Sequence, residues 1–450
     1  MSGYAEYREV NLPWLKAVPA HWEIRRNKNI FTEQKEIVGE RSADYTLLSL
    51  TLNGIIPRDM DGGGKFPESF DKYKIVKNGD MAFCLFDIDE TPRTVGMSGY
   101  NGMLTGAYTI MRVSNINARF IYYYYLALDN GKMLRPLYTG LRKTININTF
   151  QSTKVPVPPR GEQDQIVRFL DWKVSSINKL IRIRKRRIEE LEAIKRSSIG
   201  YLVMGQTQSI PQRGTAISWV KTIPAHWNEK SLIQVAEEQQ IKNAGMVEDN
   251  LLSLSYGKII NKDIKTTDGL LPSSFEGYQI VHDGNIILRL TDLQNDHKSL
   301  RTGLVTQTGI ITSAYTCLKV RCNILPEYLQ LQLHVADLCK VFYGMGGGVR
   351  QSIGFKEIRK LVIAIPPVEE QQHILDRVHI IEKPINCAIQ NSRDIIAELE
   401  NLKMRLISDT VTGKIDVRGI EIPEYEFVDE DIDNADEVME QGVNEPLEEE

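Results

Sequence analysis

One stretch of the chain occurs twice. Pro158 to Gln206 recurs as Pro366 to Lys414, so that Pro158-Pro159 matches Pro366-Pro367, Glu162-Gln163 matches Glu370-Gln371 and Gly205 matches Gly413, each 208 positions on. Both copies read as one long amphipathic helix. In the second, a three-four spacing runs through Val378, Ile381, Ile385, Ala388, Ser392, Ile395, Leu399, Leu402 and Leu406, the pattern of a coiled-coil seam. The first keeps Leu170, Ile177, Leu180, Leu191 and Ile194 but sets Arg184 and Arg187 on the seam, and its apolar stripe there moves to Ile181, Ile183 and Ile188. About 42 residues at 1.5 Å rise give a rod of roughly 63 Å. A single helix of that length cannot hide its apolar stripe. The repeats are therefore expected to pair with each other, antiparallel, as a spacer.

The rest of the chain is duplicated as well. Trp14-Leu15-Lys16, followed by Pro19-Ala20-His21-Trp22, recurs as Trp219 through Trp227; Leu47 to Leu50 recurs as Leu251 to Leu254; Tyr73 to Asp80 recurs as Tyr278 to Asn285; and Gly106 to Thr109 reappears as Ser313 to Thr316. The offset drifts from 204 to 208, which small loop insertions explain. Apolar runs with turn residues behind them predict strands at 45–52, 80–86 and 108–113, and at 250–255, 285–290 and 315–320. Helices are expected at 117–130 and 325–342, and short strands at 154–157 and 361–365. The expected fold is mixed α/β or α+β: residues 1–157 and 207–365 as two globular domains, each followed by a long helix (158–206 and 366–414), with pseudo-two-fold symmetry between the halves. Pro159 and Pro367 with the acidic residues behind them suit helix starts, and Gly205 and Gly413 suit helix ends. Pro384 should kink or split the second helix.

Charge adds a constraint that the net value of −4 hides. Residues 421–450 hold 14 acidic and no basic residues, so the remaining 55 Lys and Arg face 45 Asp and Glu, about +10 over residues 1–420. A basic body favours a polyanionic partner. The tail, 415–450, reads as disordered, with aid to solubility and mimicry of nucleic acid both open. No apolar run approaches a membrane span, and the N-terminus has no apolar signal core. The five cysteines lack CxxC spacing and read as reduced, buried thiols in a cytoplasm.

Catalytic patterns are missing: no phosphate-binding GxxxxGK[ST], no strand-anchored GxGxxG, no HExxH and no Asn/Asp-Pro-Pro-aromatic sequence occurs. No catalytic residue, metal ligand set or cofactor is expected. His21 and His226 recur beside a tryptophan without a repeated Ser or Cys, which suits a packed ring. Tyr122 to Tyr125 suit a helix half in the core. Asp87 and Asp292 are one acidic position per unit, thin for a metal site. The donors that read bases and phosphates concentrate in loops instead. Arg142, Lys143 and Thr144 in the first unit stand where Arg350, Gln351 and Ser352 stand in the second, and Arg93 and Arg301 follow loops at parallel positions. The basic run Arg182 to Arg187 is either a solvated face or a phosphate or partner contact.

The doubled order of three motifs resembles the specificity subunits of type I restriction–modification systems. They are Trp-x-x-x-x-Pro-x-His-Trp opening each unit, Tyr-x-Ile-Val-x-x-Gly-Asp/Asn within it, and Pro-Pro-x-x-Glu-Gln-x-x-Ile opening each long helix, over residues 10–414. The resemblance implies that each globular unit is a target recognition domain reading half of a split, asymmetric double-stranded DNA sequence. It implies that the helices dock two methyltransferase subunits that bind S-adenosylmethionine, alongside motor-nuclease restriction subunits, and that this chain is non-catalytic. Low identity between the two domains outside the motifs implies two different half-sites. A coiled-coil scaffold whose globular units bind protein is the alternative.

Overall fold

The computed structural model describes residues 3–52, 54–58, 67, 69–140, 143–206, 210–264, 274–293, 296, 299–321, 323–345 and 352–429. Two compact units result: residues 1–186 with 392–450, and residues 187–391. The boundaries fall inside both long helices, so each unit owns one half of each helix rather than one whole helix.

The first unit is built on a four-stranded sheet in the order Phe31–Gln34, Thr109–Val113, Met81–Phe83, Val95–Met97. The second repeats that order with Ala236–Gln239, Thr316–Val320, Ile286–Leu288 and Thr302–Leu304. All of these pairings are antiparallel, so of the two expected classes the fold is α+β.

The central strands are apolar at consecutive positions because both sheet faces are covered, and side chains alternate between the faces. Met81, Phe83 and Met111 enter the main core of the first unit, while Ala82, Cys84 and Ile110 enter a smaller core under hairpin residues Leu48, Ile55, Val76 and Leu104. The second unit divides the same way: Ile286, Leu288 and Leu318 on one side, Ile287 and Cys317 on the other.

Helix α1, Ala118–Asn130, starts at Asn117, whose side chain accepts from the amides of Arg119 and Phe120. Tyr123, Tyr124 and Tyr125 on it are buried, which makes the tyrosine run core. Helix α2 is Arg160–Val203, α3 is Pro326–Leu338 and α4 is Val368–Val411. The long helices α2 and α4 are each 44 residues. They run antiparallel: Asn178 of α2 takes a 3.4 Å hydrogen bond from Lys403 of α4 within the first unit, and Lys195 donates to Asn386 at 2.9 Å within the second.

Two expectations about the helices need correction. Helix α4 is continuous through Pro384, so of the expected kink or split the split does not occur. Pro384 lies on an exposed face, and Ile380, whose carbonyl loses its i+4 donor, is 71% exposed. The seam is also narrower than its spacing suggests. Leu170, Ile177, Ile181, Leu191, Val378, Ser392 and Leu406 are buried, but Leu180, Ile183, Ile194 and Leu402 are exposed.

Over residues 415–429 the chain departs from the expected disorder, while 430–450 of that expected tail lie outside the described residues. From Ile415 to Asp429 it lies along the first half of α2, with Val417 and Val428 buried. Gln165 donates to the carbonyls of Val417 (3.1 Å) and Ile420 (2.7 Å), Ser175 to Glu426 (2.9 Å) and Asn178 to Val428 (3.2 Å). Cys84 and Cys317 are buried, whereas Cys339 and Cys387 are exposed, against the expectation for all five; Cys322 lies outside the described residues.

Candidate nucleic-acid interface

The duplicated motifs converge on one joint in each unit. In the first, the Glu162 carboxylate in the opening turn of α2 accepts from Trp22 Nε1 at 2.9 Å and from the Tyr4 hydroxyl at 2.6 Å, and it meets His21 Nε2 at 2.7 Å. In the second, Glu370 accepts from Trp227 Nε1 at 3.0 Å and meets His226 Nε2 at 2.8 Å. The neighbouring glutamines lock the start of the short helices: Gln163 accepts from the Asn117 amide and Gln371 from the Leu325 amide, both at 2.8 Å.

Helix ends close the same joints. A Cβ on Gly413 would come within 2.4 Å of Pro19, and one on Gly205 within 2.6 Å of Pro224 and Trp227; both glycines have positive φ. The Pro-Ala-His-Trp, Pro-Pro-x-x-Glu-Gln and Gly elements are therefore one clamp. It gives the recurring histidines a structural partner, and it could be found in sequence only by asking which carboxylate recurs with them.

This clamp fixes where the loops emerge. Ile145 N donates to Leu85 O at 2.8 Å, and Ile353 N donates to Leu290 O at 2.9 Å, so each Gly- or Thr-rich loop returns to its sheet at the same point. In the first unit Thr139 and Thr144 bond each other's backbone at 3.0 and 3.1 Å, closing a tight turn around Gly140 and Lys143. The Lys143 ammonium reaches Asp89 at 3.4 Å and Glu90 at 3.3 Å. Arg135, which no motif or repeat singles out, binds Asp89 at 3.0 Å, and its hydrogen bond holds that carboxyl below the usual carboxylate range. In the second unit Ser352 is exposed at the matching loop. Arg142, Arg350 and Gln351 lie outside the described residues.

Arg93 and Arg301 do not join that surface. Arg93 is turned onto the end of α1, donating to Asn130 at 2.8 Å and pairing with Asp129 at 3.3 Å. Arg301 is completely buried and spends its guanidinium on the carbonyls of Arg289, Thr291, Asp292 and Asp296 and the Tyr343 hydroxyl. A guanidinium offers five donors and no acceptor, and here carbonyl oxygens take them. Like Arg93, it is spent on the frame of its unit. Among the described residues no group of His, Cys, Asp and Glu is placed to hold a metal ion, and no helix is long and apolar enough to cross a membrane.

Comparison with known proteins agrees with this doubled plan. Residues 83–193 and 304–401 each match the type I restriction modification DNA specificity domain. The putative type I restriction enzyme MjaX specificity subunit of Methanocaldococcus jannaschii is 23% identical over 89% of this chain and 95% of its own length. The MjaVIII specificity subunit of the same organism is 22% identical over 92% and 98%. A chain solved in work on complex assembly and conformational transition of the type I R-M system shares the fold, with a TM-score of 0.58 at 14% identity, covering 88% of this chain and 99% of that one.

The two matched segments fall one in each copy of the duplicated α+β frame, and each resembles a DNA specificity domain. In both its matched segments and its relatives the chain is similar to type I restriction–modification specificity subunits.

Proposed function

We propose that the two units read the two halves of a split, asymmetric double-stranded DNA target, one half-site each. The observation that carries this reading is the shared frame under unlike loops. Strand order, clamp and loop-closing hydrogen bond are the same in both units, while the residues carried between 139 and 145 share little with those between 345 and 353. A common frame presenting different donors suits two related readers with different base preferences. Lys143, Thr144 and Ser352, with Arg142, Arg350 and Gln351, are the proposed contacts; Arg93 and Arg301 act beneath them.

The long helices carry the proposed docking surface for two methyltransferase subunits, which would bring S-adenosylmethionine and the adenine chemistry, together with motor-nuclease subunits. Leu180, Ile183, Ile194, Ile380 and Leu402 stand exposed along them, apolar groups that neither unit covers. The chain itself contributes recognition without catalysis, in the cytoplasm.

Mapping methylated adenines across a genome with and without this gene tests the reading. A split asymmetric motif should vanish on deletion, and Arg350→Ala with Gln351→Ala should lower methylation through one half-site while the complex stays assembled. A contiguous motif, or none, would sink the proposal.

A further inference from the structure

Among the described residues three pairs of non-glycine positions hold a positive φ at matching places in the two units: Asp87 with Asp292, Asn115 with Asn323, and Lys132 with Lys340. A left-handed backbone that recurs in this way belongs to the shared frame. Tyr256 holds one too, with φ at 46°, but Leu52, in its place in the first unit, does not share it. The conformation is costly for any residue with a Cβ, and a bulky side chain kept there points to a use outside the fold. The fold itself takes no hold of the ring. Tyr256 is 88% exposed, and its side chain meets no hydrogen-bond partner or second ring among the described residues.

Tyr256 and Gly257 form the tip of the hairpin that pairs Leu252–Ser255 with Lys258–Asn261. Contacts tie that tip to the recognition loop of the same unit. Gly257 packs on Leu300, whose side chain would stand 3.2 Å from a Cβ placed there. The next residue, Arg301, accepts from the Arg289 amide at 2.8 Å, and Leu290 accepts from the Ile353 amide at 2.9 Å, the bond that closes the loop. Hairpin tip, buried arginine and loop end therefore meet at one end of the second unit's sheet. In the first unit the corresponding tip is held to the frame, because the Leu52 carbonyl takes a 3.3 Å hydrogen bond from Arg93. Lys258, exposed directly after the turn, sets a cation beside the ring and suits a polyanion.

We propose that Tyr256 is a base-reading residue of the second unit, its ring packing on an apolar base edge of the half-site that unit reads, as a thymine methyl offers in the major groove. The inference rests on the split-target reading above. A tyrosine ring supplies a large, rigid contact at small cost in side-chain freedom. Leu52 offers the first unit no such ring, so the contact helps to make the two half-sites different.

The test uses the full chain assembled with its methyltransferase subunits. Tyr256→Gly removes the ring and suits the positive φ, so the melting temperature should hold or rise. Methylated adenines mapped in cells carrying this variant should show a motif relaxed at one or more base pairs of one half-site, with the other half-site unchanged. The purified variant complex should bind a fluorescent duplex of the native motif at least about fivefold more weakly. Tyr256→Phe keeps the ring and should retain the native motif. An unchanged motif and affinity for Tyr256→Gly, an equal loss for Tyr256→Phe, or a lower melting temperature for Tyr256→Gly would each overturn the proposal and leave the split-target reading standing. A native complex whose methylated motif is not split would overturn both.

Discussion

Arg119 and Asp171 form an ion pair at 2.6 Å between α1 and α2, and 208 residues on the acidic member changes sides, with Glu327 of α3 meeting His379 Nε2 of α4 at 2.8 Å. A polar contact at this position is retained while the acidic residue moves from the long helix to the short one. Asp171 also accepts from the Tyr123 hydroxyl at 2.7 Å, so the first pair sits in a small network. Arg119→Glu should therefore destabilise the first unit by about 1–2 kcal/mol, more than an exposed pair is worth, since a like charge replaces an attraction. Combining it with Asp171→Arg should recover part of the loss. A double-mutant cycle by urea unfolding gives the coupling; a value below about 0.3 kcal/mol would show that the pair does not hold the helices together.

The two clamps should differ in strength. Glu162 is 6% exposed at its side chain and serves Trp22, Tyr4 and His21, whereas Glu370 is 28% exposed and serves Trp227 and His226. Glu162→Ala strands two buried donors, and each unsatisfied group costs about 1–3 kcal/mol. Glu370→Ala strands one. Denaturant midpoints should fall further for the first variant than for the second, and the reverse order would contradict the geometry.

Arg301 should behave as a core residue. Its lysine replacement keeps the charge but loses the planar fork that reaches four carbonyls. Arg301→Lys should cost about 3 kcal/mol and make methylation temperature-sensitive through both the loop and its unit. Lys143→Ala, an exposed change, should leave the melting temperature within about 2 °C. Equal melting temperatures for the two variants would place Arg301 on the surface after all.

Acid should loosen the second unit through His334 on α3. Burial is the main cause lowering its affinity for a proton, Lys195 adds to it, and Glu382 opposes both. Its Nδ1 finds no hydrogen-bond partner among the described residues. With the folded value depressed below about 6.5, the unfolded chain binds the extra proton, so stability is full above that pH and declines as pH falls through it. Urea midpoints measured from pH 7.5 to 5.5 should drop more steeply for the native chain than for His334→Gln. Parallel slopes would assign the acid sensitivity elsewhere.

The frame was readable in the sequence because its signals are local and doubled. Buried strands such as 81–83 and 286–288 are apolar at consecutive positions, and helix starts carry Pro and Glu; these features survive without knowledge of neighbours. The seam was less readable. Leu180, Ile183, Ile194 and Leu402 fit an apolar repeat, but only the packing decides which of two overlapping stripes is covered. Arg93 and Arg301, counted among the loop donors in the sequence, spend their guanidinium groups on the frame in the structure. Duplication preserves what the frame needs, so an arginine present in both copies is a candidate strut before it is a candidate reader. The extended C-terminal segment gave no periodic signal at all, since its order comes from side chains of a helix some 250 residues away.

Those side chains, Gln165, Ser175 and Asn178, take hold of main-chain carbonyls, and Ser175 also accepts from the Val428 amide at 2.7 Å. Side chains take part as well: Val417 and Val428 are buried, Ile415, Ile420 and Ile422 pack against the core, and Glu426 pairs with Lys179 at 3.2 Å. An appendage held by both its backbone and particular side chains can change only at the positions that make neither contact, so its route along the helix constrains its own sequence.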